Sequence, residues 1–333
     1  MKSFYVRENE EYIVLGSNER EALAPNEVRV AIKSVSINYR DILNLKFRSK
    51  TSFVPMSDGA GEVIELGCNV KNFKLGDRVI GLFFPEWLAG KIDDANSAKA
   101  RGGASYNGML AEEVVGDSQG FLKFPEYLNY QEAATLPCAG LTAWNALFEY
   151  GNAKPGDTVV IQGTGGVGLY SLQLAKAAGL RTILLSSKDN MSDRLRLLGA
   201  DEIINYKKFP DWDEEVIRLT NGKGADLIIE LGGSSTLQKS MNAIKINGLI
   251  SMIGVLSGLG GTIDPVPIIA KSINIKGVYV GSKEMQARFH NALSQSQIHP
   301  VIDFCSFDFE DSQKAYEYQS SAKHFGNIVI SLS

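Results

Sequence analysis

A glycine-rich run follows a short apolar segment near the middle of the chain. The segment Thr158 to Gln162 leads directly into Gly163, Thr164, Gly165, Gly166, Val167 and Gly168, and apolar residues then recur at helical spacing. In a strand-turn-helix unit the first glycine permits the tight turn, the second lets the backbone approach a pyrophosphate, and the third lets the helix pack close to the strand. The run predicts a dinucleotide-phosphate site, with an ordinary connecting turn as the alternative.

The end of the next predicted strand indicates which dinucleotide binds. NAD enzymes place Asp or Glu there, about 20 residues after the turn, against the ribose hydroxyls. This chain has Ser186, Ser187 and Lys188 instead. Without a carboxylate to repel a 2′-phosphate, and with two hydroxyls and an ammonium to bind it, NADPH (NADP) is favoured. The alternative is that Lys188 is a solvated loop residue.

The chain shows two different patterns of predicted secondary structure. Together they predict an α/β protein with a doubly wound parallel (Rossmann) sheet and a β-rich domain. Residues 27 to about 125 show short alternating strands, and Gly326 to Ile330 predicts a last strand that rejoins this half. Beyond residue 139, strands alternate with helical stretches, as in βαβ units. The six predicted strands of that part are Thr158–Gln162, Arg181–Ser186, Glu202–Ile204, Ala225–Leu231, Gly248–Gly254 and Asn274–Val280.

Length and composition bound the class of protein. At 333 residues two domains are expected, and 44% hydrophobic with 22% charged residues is ordinary for a globular chain. A net charge of -4 without a Lys/Arg cluster argues against nucleic acid as a partner. With no long apolar run and no signal peptide, we expect no membrane association and a cytoplasmic location, and three scattered cysteines predict no disulfide.

Several motifs occur in a fixed order along the chain: Asn38-Tyr39-Arg40-Asp41, Ser57-Asp58-Gly59-Ala60-Gly61, Phe73 to Val79, Leu136 to Trp144, and Lys154-Pro155-Gly156-Asp157. With the glycine-rich run they make the chain resemble the medium-chain dehydrogenase/reductase superfamily, in its zinc-free quinone oxidoreductase-like and zinc-type alcohol dehydrogenase-like branch. The resemblance implies a GroES-like catalytic domain over 1–137 and 282–333, a Rossmann NADP-binding domain over 138–281, and an active site in the cleft between them.

The resemblance also shows where this chain departs from the zinc alcohol dehydrogenases. Their first cysteine ligand aligns with Asn38 and their histidine ligand with Ser57, so that only Cys138 remains at a ligand position. Catalytic zinc needs three protein ligands. The segment 84–103, which carries a structural zinc in those enzymes, contains no cysteine. We therefore expect no metal, and a reaction that needs no Lewis acid.

Hydrogen-bond donors must then stabilise the developing oxyanion, and the segment that faces the cleft in the superfamily offers Asn38, Tyr39 and Arg40 as catalytic candidates. Tyr39 could also supply a proton. Each has a structural alternative: Asn38 could hold a strand end, and Arg40 could pair with Asp41 or Asp58. Cys138 is interpreted as a small buried residue, because no histidine lies near it in sequence.

The remaining expectations also come from the resemblance. Thr142 aligns with a nicotinamide contact, although it could instead cap a helix from Ala143 to Glu149. Gly232, Gly254 and Val255 align with loops that lie against ribose and nicotinamide, or else are plain strand-end turns. A sheet-edge strand from Gly277 to Gly281 predicts a homodimer.

Three functions remain open. The first is NADPH-dependent hydride transfer to a small-molecule quinone or α,β-unsaturated carbonyl. The second is an NAD(P)-dependent alcohol or aldehyde dehydrogenase, which would require an oxidisable alcohol and a metal. The third is a non-enzymatic NADPH-binding protein. The sequence favours the first, because two zinc ligands are replaced and the cofactor turn is intact.

Overall fold

A computed structural model describes residues 1–332 of the chain. The chain divides into two compact units, the first formed by Met1–Leu141 with Val280–Ser333 and the second by Thr142–Tyr279. These boundaries differ by a few residues from 137/138 and 281/282, the positions expected from the sequence. No helix within residues 1–332 combines the length and the apolar character needed to cross a membrane.

The regular elements follow one another along the chain in this order: β1 (Lys2–Tyr5), β2 (Val14–Ser17), β3 (Glu27–Ile37), α1 (Tyr39–Lys46), β4 (Asp58–Leu66), β5 (Arg78–Gly81), α2 (Asp94–Ser97), β6 (Glu113–Asp117), β7 (Phe121–Lys123), α3 (Tyr130–Ala134), α4 (Leu141–Trp144), β8 (Thr158–Gln162), α5 (Gly166–Ala177), β9 (Arg181–Ser186), α6 (Ser192–Leu197), β10 (Glu202–Asn205), α7 (Trp212–Leu219), β11 (Ala225–Glu230), α8 (Leu237–Ala243), β12 (Ile244–Met252), α9 (Val266–Ala270), β13 (Asn274–Gly277), α10 (Lys283–Ser296), β14 (Phe307–Asp308), α11 (Ser312–Ser320) and β15 (Ile328–Ser331).

The second unit contains a six-stranded sheet in the order β10-β9-β8-β11-β12-β13, and every pairing in it is parallel. The strand order reverses between β8 and β11, as expected for a doubly wound sheet. Both predictions of fold class and of six parallel strands are confirmed. β8 and β9 have the predicted bounds, whereas β12 begins at Ile244, earlier than the predicted Gly248.

Burial on both faces explains why the central strands of this sheet read as continuous apolar runs. Val159, Val160 and Ile161 of β8 and Ile228 and Ile229 of β11 are fully buried. Polar residues are therefore confined to the strand ends. The helices α7 and α8 cover one side of this core through Trp212, Val216 and Met241.

The first unit is β-rich, with a seven-stranded sheet in the order β14-β15-β3-β4-β5-β7 and β6 paired with β3. Strand β15 pairs antiparallel with β3, so the C-terminal segment does rejoin the N-terminal half as predicted. A separate two-stranded sheet of β1 and β2 was not predicted. The loop before Gly103 contains the short helix α2.

The predicted edge strand from Gly277 to Gly281 is wrong. The edge strand is β13, which ends at Gly277, and Val280 has a φ of 54°, a left-handed conformation that no strand contains. The apolar residues Val278 to Val280 suggested a strand, and a hydrogen bond from the Val278 N–H to the Met252 carbonyl extends the pairing one residue beyond β13. All four residues of β13 are exposed.

Candidate functional site

The glycine-rich turn joins β8 to α5 and has the geometry that its sequence predicts. Gly163 has a φ of 80°, and a Cβ atom placed there would meet nothing within 4 Å. A Cβ at Gly168 would lie 2.2 Å from the Gly163 carbonyl oxygen, so the helix can pack this close only with glycine at that position. Helix α5 begins at Gly166, and its first N–H groups have no partner inside the helix. Such an end favours phosphate.

The three residues expected to select the dinucleotide follow at the end of β9. Ser186 is buried, and its Oγ accepts a hydrogen bond from the Lys188 N–H over 3.0 Å. Ser187 and Lys188 are half-buried. The end of β10 lies beside them, since Tyr206 N–H donates to the Ser186 carbonyl over 3.2 Å. The position that carries a carboxylate in NAD enzymes thus holds the Ser186 hydroxyl, which accepts a hydrogen bond from the backbone two residues later.

The two loops that follow β11 and β12 pack against each other. A Cβ at Gly254 would lie 2.3 Å from the Leu231 carbonyl oxygen, and one at Gly232 would lie 2.2 Å from the Thr236 Oγ1. Internal packing therefore already requires glycine at both positions. Gly232, Gly254 and Val255 lie at the carboxyl edge of the parallel sheet together with Gly163, which is the edge where open α/β sheets bind ligands.

Two buried polar residues at this edge were missed by the sequence reasoning. Gln162 ends β8 and Glu230 ends β11, and the Gln162 Nε2 donates to the Glu230 Oε2 over 2.6 Å. The available signal was an amide and a carboxylate that each directly follow a buried apolar run, Val159 to Ile161 in β8 and Leu227 to Ile229 in β11, because a buried polar group must find a partner.

Thr142 lies inside a helical stretch and does not begin one. Helix α4 is flanked by π-helical turns over Leu136–Gly140 and Asn145–Glu149, so the chain is already helical before Thr142. The capping interpretation of Thr142 is therefore wrong, because a capping residue must precede the first turn. Thr142 is buried in the second unit. Two π turns in one stretch are uncommon and occur often at functional sites.

The three catalytic candidates lie in the first unit, at the junction of β3 and α1. Asn38 precedes the helix, and its N–H donates to the Asp41 Oδ2 over 2.8 Å. Tyr39 is half-buried, and its hydroxyl makes no hydrogen bond with any residue of the described chain. Arg40 is engaged three times: its Nη1 donates to the Arg101 carbonyl over 2.8 Å and lies 3.7 Å from the Asp41 Oδ1, and its guanidinium stacks 4.6 Å from the Phe83 ring centre. This geometry fits the structural alternative for Arg40.

Beside them lies a buried carboxyl that the sequence reasoning had treated only as a partner of Arg40. Asp58 is fully buried, its Oδ1 accepts from the Ser57 Oγ over 2.6 Å, and its Oδ2 accepts from the Cys138 N–H over 3.0 Å. Burial raises the pKa of Asp58 to about 7, against the hydrogen bonds from Ser57 and Asn38, and the nearby Asp41 carboxyl raises it further. Burial likewise raises the pKa of Asp41 to about 6, against the attraction of Arg40.

Two of the residues at the aligned ligand positions, Asn38 and Ser57, differ from the cysteine and histidine ligands of the zinc alcohol dehydrogenases. Within the described residues no group of three or more His, Cys, Asp or Glu side chains lies close enough to hold a metal. At the aligned positions, the Ser57 hydroxyl donates to Asp58, and the Asn38 amide donates to the Ser36 carbonyl over 3.5 Å. Zinc prefers thiolate, imidazole and carboxylate ligands, so this donor set does not fit it.

Comparison with known proteins agrees with the fold and the motifs. Residues 24–126 match the model of the alcohol dehydrogenase GroES-like domain, and residues 166–297 match that of the zinc-binding dehydrogenase domain. A zinc-type alcohol dehydrogenase-like protein of Schizosaccharomyces pombe is 38% identical over 93% of this chain and 92% of its own length. The chain belongs to the medium-chain dehydrogenase/reductase superfamily. It is an oxidoreductase of that superfamily, which confirms the resemblance stated above.

Two further relatives show the breadth of the superfamily around this chain. A solved structure from Sinorhizobium meliloti, provisionally an alcohol dehydrogenase, superposes with a TM-score of 0.91 at 37% identity over 99% of both chains. A quinone oxidoreductase-like protein of Bos taurus is 28% identical over 92% of this chain and 86% of its own length. Both alcohol dehydrogenase-like and quinone oxidoreductase-like members therefore resemble this chain.

We predict that replacing Asp58 by Asn changes how stability depends on pH. The pKa of an aspartate in an unfolded chain is about 3.9, whereas burial raises the pKa of folded Asp58 to about 7. The wild-type free energy of unfolding therefore falls as pH rises through this window, at about 1.4 kcal/mol per unit of pKa shift, and levels off above it. Asp58→Asn removes this titration, so its melting temperature relative to wild type should rise between about pH 4.5 and about pH 8.

The matched control is Asp189→Asn. Asp189 is exposed, and hydrogen bonds from Lys208 and Asn205 lower its pKa, so this variant should gain no relative stability as pH rises. Scanning calorimetry of the three proteins measures the effect. A difference between Asp58→Asn and wild type that stays constant with pH would contradict the buried, raised pKa.

Proposed function

We propose that this oxidoreductase transfers hydride from NADPH to a quinone or an α,β-unsaturated carbonyl without zinc. The observation that carries the proposal is the donor set at the aligned zinc positions, where an amide at Asn38 and a hydroxyl at Ser57 stand in place of metal ligands. Zinc polarises an alcohol or aldehyde oxygen as a Lewis acid, and its loss removes several kcal/mol of charge stabilisation. Quinones and enones are electrophilic enough to react with ordinary hydrogen-bond donors at the oxygen.

The residues of the second unit provide the binding contacts for the cofactor. The glycine-rich turn and the first N–H groups of α5 take the pyrophosphate, and Ser187 with Lys188 takes the 2′-phosphate. Thr142, Gly232, Gly254 and Val255 are proposed to lie along the ribose and nicotinamide. NADPH, when bound, supplies the hydride. Ser186 contributes by being neutral, because a carboxylate at that position would repel the 2′-phosphate.

Among the candidates of the first unit, Tyr39 is best suited to donate to the substrate oxygen. Arg40 is occupied by Asp41, Phe83 and the Arg101 carbonyl. The Asn38 amide faces the Ser36 carbonyl at 3.5 Å and Asp58. The Tyr39 hydroxyl has no partner among the described residues, and the residue is only half-buried, which supports its use as a donor to an incoming carbonyl. As hydride adds to the substrate carbon, the oxygen takes the Tyr39 proton, and water restores it.

An alcohol or aldehyde dehydrogenase is the second candidate, and the names of the relatives from Schizosaccharomyces pombe and Sinorhizobium meliloti favour it. It requires a group that activates the alcohol oxygen. The hydrogen-bond donors of Asn38 and Ser57 activate an alcohol oxygen less strongly than zinc does. For this reason we rank the alcohol or aldehyde dehydrogenase second.

We also propose that two copies of the chain pair through β13. Its four residues, Ile275 among them, are exposed at the sheet edge, and Val266 and Ile269 of the preceding helix α9 are also exposed. An unpaired edge with apolar neighbours favours strand addition by a second copy. A solution mass of one chain by light scattering at micromolar concentration would contradict this proposal.

The proposed reaction is tested by following NADPH oxidation with matched sets of quinones, enones, aldehydes and, in the reverse direction, alcohols. We expect turnover of quinones or enones by protein whose zinc content is far below one ion per chain. Turnover of alcohols and aldehydes alone, or activity that disappears with a chelator and returns with zinc, would overturn the proposal.

The same assay with Tyr39→Phe tests the proton donor. We expect kcat to fall by about 10²- to 10⁴-fold, the usual contribution of a positioned acid, with the Kd for NADPH unchanged. Tyr12→Phe, at an exposed tyrosine of the same unit, is the control and should behave as wild type.

Cofactor choice is tested at Ser186. We predict that Ser186→Asp weakens NADPH binding by about 1.5 to 3 kcal/mol, the worth of interactions with a charged group, and shifts preference toward NADH. The introduced carboxylate can still accept the Lys188 N–H, as the hydroxyl does. Ser186→Asn has the same shape without the charge and should retain NADPH. Equal losses in both variants, measured by fluorescence titration, would refute the assignment of the 2′-phosphate site.

A further inference from the structure

Five hydrogen-bond donors converge on the buried carboxylate of Glu230. The Oε1 accepts from Gly232 N–H at 2.9 Å, Gly233 N–H at 3.0 Å and Thr236 Oγ1 at 2.5 Å. The Oε2 accepts from Gln162 Nε2 at 2.6 Å and from Ser240 Oγ. Glu230 is fully buried, and the ion pairs found between residues 1 and 332 do not include it. A buried carboxylate without a cation is tolerated only where hydrogen bonds replace its hydration.

Gln162 completes the arrangement from the neighbouring strand. Its Oε1 accepts from Leu231 N–H at 3.0 Å and Gly232 N–H at 2.9 Å, and its Nε2 donates to both Glu230 and Ser240. Gln162 is the residue immediately before Gly163, the first glycine of the cofactor turn. Its amide therefore connects that turn to the loop after β11.

The main chain of Glu230 extends the connection to a third loop. Its carbonyl accepts from Ile253 N–H at 2.9 Å and Gly254 N–H at 3.2 Å, where the chain leaves β12. The turn after β8 and the loops after β11 and β12 thus meet at one residue pair. The strand order reverses between β8 and β11, and a doubly wound sheet binds its ligand at that reversal.

We infer that Gln162 and Glu230 are positioning residues that hold the three cofactor loops in their binding geometry, through an amide-to-carboxylate pair whose direction matters. The inference rests on the proposed function, in that a nicotinamide dinucleotide is taken as the ligand of these loops. Neither side chain is assigned contact with substrate or cofactor. Their effect is to fix where the Gly163 turn, Gly232 and Gly254 lie.

The direction of the pair follows from the donor count. The N–H groups of Leu231, Gly232 and Gly233 in the loop after β11 all donate, so one oxygen of each side chain must accept from that loop, and only one of the two side chains can donate to the other. In Glu230→Gln two amide NH₂ groups face each other, unless Gln162 rotates and turns its NH₂ toward Leu231 and Gly232 N–H. Either arrangement sets donor against donor.

The exchanged pair, Gln162→Glu with Glu230→Gln, satisfies every one of these groups again. The carboxylate at 162 accepts from Leu231 and Gly232, the amide at 230 accepts from its own loop and donates across the pair, and Ser240 accepts where it had donated. A double-mutant cycle therefore distinguishes a directional pair from a loss of bulk or of packing.

The experiment measures the Kd for NADPH by calorimetry or protein fluorescence, on folded protein without substrate. We expect Glu230→Gln to raise the Kd by about ten- to hundredfold, Gln162→Glu alone to raise it similarly, and the exchanged pair to return it to within about threefold of wild type. A Kd for Glu230→Gln equal to that of wild type, or an exchanged pair no better than its singles, would overturn the inference.

The control is Asp226→Asn on the same two strands. Asp226 in β11 accepts from the Thr158 N–H of β8 over 2.7 Å, at the amino ends of the strands, away from the cofactor loops. This variant should lower the melting temperature and leave the Kd for NADPH unchanged. If wild-type protein binds no nicotinamide dinucleotide, the proposed function fails; if wild type and Glu230→Gln bind NADPH equally, only the pair's role fails.

Discussion

The parallel sheet of the second unit imposes the constraint on which the candidate cofactor site depends. Its central strands are buried on both faces, so no polar side chain can be accommodated along their length without a partner. Because all the strands run in one direction, their carboxyl ends meet at a single edge. Polar groups and glycines excluded from the strand interiors accumulate there, and loops with free N–H groups follow them. An edge rich in glycines and polar groups is thus a consequence of how the sheet is buried.

Much of this unit could be predicted because its signals are local. Strand bounds for β8 and β9 follow from apolar runs, of which the first is ended by Gly163 and the second by Ser187 and Lys188. The roles of Gly163 and Gly168 follow from spacing, since a φ of 80° and a 2.2 Å approach each require glycine. Errors occurred where local texture was ambiguous. Val278 to Val280 reads as a strand, yet the left-handed backbone at Val280 ends it, and Thr142 looks like a cap although the preceding turn is already helical.

The residues that were missed depend on partners distant in sequence. Gln162 and Glu230 are separated by 68 positions, and nothing near either one indicates that they will share a hydrogen bond. Asp58 has the same character, since it is partnered by its neighbour Ser57 and by Cys138, which is 80 positions away. A single sequence shows that such a residue is polar within an apolar segment. It does not show which donor will meet it, because that depends on the register and order of strands.

In the first unit, the residues at the positions that align with zinc ligands all form hydrogen bonds with one buried carboxyl group. Ser57 directs its hydroxyl to Asp58, Asn38 presents its amide beside it, and a backbone N–H from Cys138 completes the carboxyl's partners. These side chains therefore make their contacts with other residues of the first unit, as the Arg40 guanidinium also does. Tyr39 is the exception, a half-buried residue whose hydroxyl makes no hydrogen bond within the described chain, next to a helix start held by Asp41. A donor can stabilise a developing oxyanion only when it is oriented before the charge forms, and this requirement is the physical reason for placing the proposed proton donor at Tyr39.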